Sequence, residues 1–514
     1  MALDTSKAYR LTNDTLGSVR SLDATTRLTT APGNDSAGQR WRLQPQDGGT
    51  YGLTTEAFGP CYAIDVTNDD KRTFTPVLVP KAGFTGQMWH VEPLPGGTFR
   101  LRSKYPDDQQ RWLGVDERGA LVTRPGTAQP WRLTPLAPPP AAPSPGRIPQ
   151  LCPGRAVDET EGHADYTMHL YPHGVLRAVV IFAEFPDAPG QVEPAEIGAR
   201  VHGSGAASRM FDTQSYGALQ LEVTVRSDLG WLELPHPSTD YDHGDGGKQR
   251  QFMTDLAAKI SADELRFDDY DLVLAVAAYT KNVGLSPAYH HVPGDGAQSN
   301  SGEILHGVTF GYDLYDRDHR VLVHELGHVL GLPDLYPHEP EDQARGCRPA
   351  DPRENMVGYW DLMSDVEHAE HFLGWHRHKN GWLPAARSVY LDRATTRRRV
   401  TLHPLSGPDG LSMLVVPCDK ARQPRKVLVV EPAEPVRDLP DAQGVLVYSV
   451  DAGIDGGKSP VVIHPRDGHG LEDAPYRVGD VADIEDERGA RLRVKVLGRS
   501  GPAWDVEISF TPAG

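Results

Sequence analysis

The triplet Gln-x-Trp recurs at near-constant intervals in the first part of the 514-residue chain. "GQRW" ends at Trp41, "GQMW" at Trp89 and "AQPW" at Trp131, 48 and 42 residues apart. Upstream of each stands a related phrase: "RSLDATTRLTT" around Asp23, "CYAIDVTNDD" around Asp65 and "RWLGVDERGALVT" around Asp116. A further triplet, Gln110-Arg111-Trp112, falls outside the period, so the spacing carries the information and not the triplet. A unit of short strands and Gly, Asn and Asp turns cannot bury its own apolar face, and three such units must share one core. The chain is therefore expected to open with a closed all-β domain of pseudo-threefold symmetry over residues 1–136.

Residues 137–150, "APPPAAPSPGRIPQ", form a proline- and alanine-rich spacer. Proline at this density supports neither helix nor sheet ladders and favours an extended linker. After it the pattern changes. "LRAVVIFAEF" (176–185) and "YDLVLAVAAY" (270–279) are continuous apolar runs, which marks strands buried on both faces. Helical spacing occupies 246–265, and "HFLGWHRHKNGWLP" (371–384) reads as a closing helix. Residues 151–386 are thus expected to form an α/β domain. From residue 387 to 514, short β-branched runs such as "KVLVVEPAE", "GVLVYSVDAG" and "RLRVKVLG" predict a C-terminal β-sandwich-like domain.

The chemistry concentrates in "VLVHELGHVLGLPDLY", residues 321–336. His324 and His328 stand four apart, on one face of a helix, so both imidazoles can address one ion. Glu325 projects to the side, where a carboxylate can take a proton from a zinc-activated water without ligating the metal. Gly331 ends the helix, since glycine tolerates the left-handed turn. Asp334 then returns as third ligand, completing HExxHxxGxxD and leaving the open fourth position that a catalytic zinc needs. Glu367 or Glu370 is an alternative third ligand. Met363, in "VGYWDLMSD" (357–365), lies where a methionine turn would pass beneath the histidines; a core-filling role is the alternative. Tyr359, His368 and His371 are candidates for stabilising the oxyanion. The acidic turn "DYDHGDGG" (240–247) could hold calcium, although a solvated turn suits it better.

Composition sets the outer limits. A formal net charge of −18 disfavours nucleic acid or an anionic membrane as partner. No apolar run is long enough to span a membrane. "MALDTSKAYRLTND" lacks the basic cluster and apolar stretch of a secretory leader. Cys61, Cys152, Cys347 and Cys418 form no CxxC, so a cysteine zinc site is disfavoured; a Cys152–Cys347 disulfide and free buried thiols are both open.

Two resemblances extend this reading. The N-terminal repeat resembles the ricin-type β-trefoil lectins over about residues 7–136. That implies structural roles for the Gln-x-Trp residues and sugar contact through Asp23, Asp65 and Asp116, with an aromatic ring stacked on the sugar. The disulfides common in that family are missing, and a trefoil that binds no sugar is an equal reading at each lobe. The remainder resembles the immune-inhibitor-A family of secreted metallopeptidases, of metzincin type. The matching phrases are "VVIFAEFPD" (179–187), "SYGALQLEVTV" (215–225), "HELGHVLGLPDLY" (324–336), "VGYWDLMS" (357–364), "HFLGW" (371–375) and "GVLVYSVDAG" (444–453). This resemblance implies one catalytic Zn2+ on His324, His328 and Asp334, Glu325 as general base, protein or peptide substrates and an extracellular location. The calcium loop of many relatives is not matched by "FDDYDLVLAV". Together they suggest a zinc endopeptidase delivered to glycans or glycoproteins by its trefoil. The competing reading is a sugar-binding effector whose protease domain is vestigial.

Overall fold

The computed structural model describes residues 3–513, except 6, 16–18, 25–27, 34–36, 67–73, 107–108, 118–119, 137–147, 154–158, 167, 339–355 and 420–423. The protein is multidomain and strand-rich, with several sheets and few helices.

Three four-strand units build the N-terminal region. They are β1 (Ala8–Asn13), β2 (Arg20–Asp23), β3 (Thr29–Ala31) and β4 (Trp41–Gln46); β5 (Thr50–Thr55), β6 (Tyr62–Val66), β7 (Pro76–Pro80) and β8 (Trp89–Leu94); and β9 (Thr98–Ser103), β10 (Arg111–Val115), β11 (Leu121–Pro125) and β12 (Arg132–Leu136). The first and last strands of each unit close a six-stranded barrel: β1 pairs β12 and β4, β4 pairs β5, β5 pairs β8, and β8 pairs β9. A bridge between Phe99 and Trp131 completes the ring. The middle strands form three hairpins, β2–β3, β6–β7 and β10–β11.

The sequence repeat is a repeated hydrogen bond. Trp41, Trp89 and Trp131 are fully buried, and each indole Nε1 donates 2.9 Å to a carbonyl two strands back, of Leu22, Ile64 and Leu113. A buried indole N–H needs such a partner, and the hairpin supplies it. The paired glutamines pin the same hairpins. Gln39 and Gln87 donate 2.9 Å to Pro32 O and Pro80 O, and Gln129 bonds both backbone groups of Val115 at 2.8 and 2.9 Å.

Beyond the spacer lies a mixed sheet. It holds β13 (Gly174–Glu184), β14 (Leu219–Val225), β15 (Trp231–Glu233), β16 (Leu272–Ala277), β17 (Ala288–His290) and β20 (His306–Phe310), with a small separate hairpin of β18 (Ala297–Ser299) and β19 (Gly302–Ile304). The order is β14-β13-β16-β20-β17, parallel except for the antiparallel edge strand β17. Parallel neighbours need crossovers, and α1 (Pro194–His202) with α2 (Ala206–Gln214), and α3 (Gly246–Ala257), provide them. A short α4 (Asp313–Asp316) leads into α5 (Arg320–Val329), which packs on β17 and β20. The closing helix expected over 371–384 is a single short segment, α6 (Gly374–Lys379). Gly381 at φ +71° and the Pro384 that follows keep it from extending.

The C-terminal region has two sheets. One contains β21 (Ser388–Tyr390), β23 (Met413–Pro417), β24 (Lys426–Pro432), β25 (Val445–Asp451) and β26 (Val461–Ile463). The other contains β22 (Thr395–Leu402), β27 (Val481–Glu485), β28 (Arg491–Ser500) and β29 (Ala503–Thr511). The first sheet is shared between two cores. Val415, Val427, Val429 and Tyr448 join the core of α5, whereas Leu414, Val416, Leu428 and Val447 face the second sheet. A strand's side chains alternate between faces, so continuous apolar runs here mean burial on both. The first sheet is therefore packed against the region of α5 with one face and closes the sandwich core with the other.

The Cys152–Cys347 pairing left open by the sequence is not formed. Cys152 is bonded to Cys61, and Cys347 lies outside the described residues. Proximity decides the pairing: Tyr62, next to Cys61, is fully buried, donates to Leu151 O at 3.0 Å and accepts from His163 N at 2.9 Å. The disulfide thus ties the N-terminal barrel to the chain beyond the spacer. Cys418 is a buried free thiol.

Candidate metal centre

Helix α5 is buried almost throughout, because Val321, Leu322, Leu326 and Val329 fill the core on one side while the histidines face the other. Its end is made by Gly331, at φ +89°, with Leu332 N closing back on Gly327 O at 2.9 Å. That bond caps the helix and sends the chain back toward the face it left. Asp334 then lies beside the histidines. Its Oδ1 is 3.2 Å from His324 Nε2 and 3.3 Å from His328 Nε2. Among the described residues these three form the one group of His, Cys, Asp or Glu side chains with metal-ligand spacing, their donor atoms all within 4.8 Å.

The outer hydrogen bonds fix which ring nitrogens face inward. His324 Nδ1 is 2.8 Å from Leu362 O, and His328 Nδ1 is 2.8 Å from Leu332 O. A carbonyl only accepts, so each Nδ1 carries a proton and each Nε2 faces Asp334, offering a lone pair when the ring is neutral. Asp334 Oδ1 is buried and makes no aligned hydrogen bond to either ring. Its Oδ2 accepts from His338 Nε2 at 2.8 Å. Two imidazole lone pairs and a carboxylate oxygen converging on one point suit a cation, and an N2O donor set suits zinc. Without an ion, protons take that place. Burial works against charge on His328, but Asp334, Glu159 and Glu325 outweigh it and push its pKa up to about 10. Asp334 is held well below the usual carboxylate range: burial opposes this, and His328 and the other imidazoles overcome it.

Glu325 sits beside the cluster and outside it, as expected. Its Oε2 accepts from Ala288 N, on edge strand β17, at 2.8 Å. Burial pushes its pKa up to about 7, against the pull of His324 and His328. A carboxylate near neutrality can both take and return a proton. Met363 lies under the helix: a Cβ on Gly327 would come within 2.5 Å of its Sδ, so glycine here lets the methionine pack directly against the helix. Leu335 N donates to Met363 O at 2.9 Å, which joins the methionine turn to the loop that carries Asp334.

The cluster opens into a cleft of about 1010 Å³, with Leu285, Ala288, Arg317, Tyr336, Tyr359 and His368 among its walls. Tyr359 and His368 stack there at 4.3 Å. His371 does not reach it. Its ring is buried, and burial first, then Arg377, drives its pKa down to about 3. Glu370 is bound to Arg437 and Glu367 pairs with Arg317 at 3.5 Å, so neither replaces Asp334 in the cluster. In the acidic turn, Asp245 caps α3 through Gly247 N and Lys248 N, and Asp242 accepts from Gly244 N. Three residues beside the cluster were given no role from the sequence. His338 holds Asp334, Tyr336 stacks on His324 at 6.3 Å, and Glu159 reaches within 3.9 Å of His328 and 3.6 Å of His290.

The three trefoil aspartates are not equivalent. Asp23 is buried and accepts from Gln39 Nε2 at 2.7 Å. Asp65 is buried, accepts from Val66 N at 2.7 Å, and has its pKa raised by burial. Asp116 is half-buried and accepts from Ala120 N at 2.9 Å within its hairpin.

No family model matches the chain, and no curated protein does. Solved structures with local likeness include a designed threefold-symmetric protein, ThreeFoil, at 23% identity over 25% of this chain and 99% of that one, with a TM-score of 0.22. A mosquitocidal holotoxin follows at 14% identity, covering 26% of this chain and 18% of its own, with a TM-score of 0.23. An exo-β-1,3-galactanase from Clostridium thermocellum stands at 21% identity, 26% of this chain and 31% of its own, with a TM-score of 0.22. The chain thus spans less than a third of the toxin and of the galactanase.

Proposed function

We propose that this chain is a zinc-dependent endopeptidase of the kind its resemblance to the immune-inhibitor-A family implies, carrying a trefoil that binds sugar on its substrates or their surroundings. One observation carries the reading: buried Asp334 Oδ1 lies between two imidazole nitrogens without a hydrogen bond, directly beside Glu325. A buried polar atom left unsatisfied marks strain or a missing ligand. His324, His328 and Asp334 would hold the ion. Zinc, when bound, supplies Lewis acidity and brings the pKa of a water toward about 7.

The chain's own groups do the rest. Glu325 accepts the proton of the attacking water and returns it to the departing amine. Ala288 N holds the carboxylate in place, and Met363 fixes the floor of the helix. The cleft walls orient an extended substrate and exclude bulk water. Tethering by the trefoil raises local substrate concentration without new contacts at the scissile bond. The test is incubation of the purified chain with an unfractionated peptide library, with and without a zinc chelator. Cleavage that stops with the chelator and returns with zinc supports the reading; a library left intact in the presence of zinc rejects it.

A further inference from the structure

Behind the cleft, away from any substrate, lies a buried row of charges that the reaction does not use. His376, on α6, has Nε2 3.0 Å from Glu161 Oε1 and Nδ1 2.9 Å from Asp361 Oδ2. All three are almost inaccessible, and Trp375 Nε1 also donates to Glu161 at 3.0 Å. Such an array is weak as a source of stability, because removing three charged groups from water opposes their attraction; apolar side chains of the same volume would hold a fold as well. Its position suggests what it does instead.

Asp361 continues the row toward the cluster. Its Oδ1 accepts from Met363 N at 2.7 Å and its Oδ2 from Leu373 N at 2.7 Å. Between Asp361 and Met363 lies Leu362, whose carbonyl takes the His324 Nδ1 proton at 2.8 Å. Leu362 N is itself fixed to His371 O at 3.0 Å. The carbonyl that orients His324 is therefore flanked by Asp361, which pairs with His376 and accepts from Met363 N, while Leu362 N is fixed by His371 O. Glu161 is also two residues from Glu159, which reaches His328 on the other side of the cluster.

We propose that Glu161, His376 and Asp361 are positioning residues for the metal centre, which set its zinc affinity by holding the Leu362 carbonyl on His324. This inference rests on the metal-centre reading above. Outer partners of a metal-ligating histidine typically change metal affinity about 10- to 100-fold when removed.

The test uses the full chain. Zinc dissociation constants are measured by competition with a chromophoric chelator for the wild type, His376→Gln, Glu161→Gln and Asp486→Asn, and visible spectra are taken of the cobalt-substituted proteins. Asp486 is the control: its carboxylate is also buried and bonded to Lys426, but in the C-terminal sandwich. His376→Gln and Glu161→Gln are expected to weaken zinc about 10- to 100-fold and shift the cobalt bands. Asp486→Asn is expected to lower the melting temperature and leave both readouts unchanged. Should His376→Gln not fold, the isosteric Glu161→Gln decides alone. Variants that melt earlier yet keep zinc affinity within about twofold of the wild type, with the same cobalt spectrum, would overturn the proposal and leave a purely structural array. A wild type that binds no zinc would overturn the metal reading itself, and this inference with it.

Discussion

The trefoil and the cleft treat buried carboxylates in opposite ways. In the trefoil, Asp23 is met by Gln39 and Asp65 by Val66 N, and each serves the repeat that surrounds it. In the cleft, Asp334 is just as buried, yet its Oδ1 is left facing two ring nitrogens with no aligned hydrogen bond. An unpartnered carboxylate oxygen facing two imidazoles is open to a cation, which is the basis of the proposed metal site, whereas Asp23 and Asp65 are in part structural. Asp116, half-buried and accepting from Ala120 N within its own hairpin, stands between the two cases.

The largest expected effect lies on the cleft side. Glu325→Ala should cut peptide hydrolysis by about 10²- to 10⁴-fold, measured by steady-state rates on a peptide, while zinc content stays at the wild-type level. Rates within a few-fold of wild type would remove Glu325 from the chemistry and blur the contrast with the trefoil.

On the trefoil side, Trp41→Ala, Trp89→Ala and Trp131→Ala should each lose about 3–5 kcal/mol of stability, read by denaturant unfolding. Near-equal losses are expected because the three indoles share one geometry. A lobe that loses far less would break the symmetry on which the trefoil side of the comparison stands. The aspartates sharpen it further. Asp23→Ala should cost about 1–3 kcal/mol, since it strips a buried amide of a partner, and Asp116→Ala about 0.5 kcal/mol or less. If titration with sugars follows the same logic, Asp116→Ala is the substitution whose effect on sugar binding comes without a large loss of stability.

A further effect concerns pH. Burial opposes charge on His376, but Asp361 and Glu161 outweigh it and push its pKa up to about 9 from the ordinary 6.5. A group with a higher pKa folded than unfolded adds stability below its unfolded value and loses it as pH rises through the folded one. The metal-free protein should therefore lose stability between about pH 6.5 and about 9. His376→Gln should flatten that fall in urea titrations across the range. An unchanged slope would mean that another group sets it.

Much of this arrangement was legible in the chain before any fold was known, and the reason is locality. His324, Glu325, His328, Gly331 and Asp334 lie within eleven positions, so helix geometry and one left-handed turn nearly fix their relation. The Gln-x-Trp period announced three equivalent units, because each repeats the same bond. What escaped depends on packing between distant segments. Nothing near Cys61 or Cys152 marks them as partners; Tyr62 draws them together through Leu151. Glu159, His338 and the Glu161–His376 pair likewise reach the site from elsewhere in the chain. One miss had a signal. Runs such as "MLVVP" and "KVLVVEP" are apolar at consecutive positions, which a sheet covered on one face does not require. They announced a sheet with a core on either side.

The central claim is that His324, His328 and Asp334 bind a zinc ion. The direct measurement is calorimetric titration of metal-free protein with zinc, alongside Asp334→Ala. One tightly bound zinc per wild-type chain, with binding lost or sharply weakened in Asp334→Ala, is the expected result. A wild-type chain that shows no zinc binding, or an Asp334→Ala chain that binds zinc as tightly as the wild type, would contradict it.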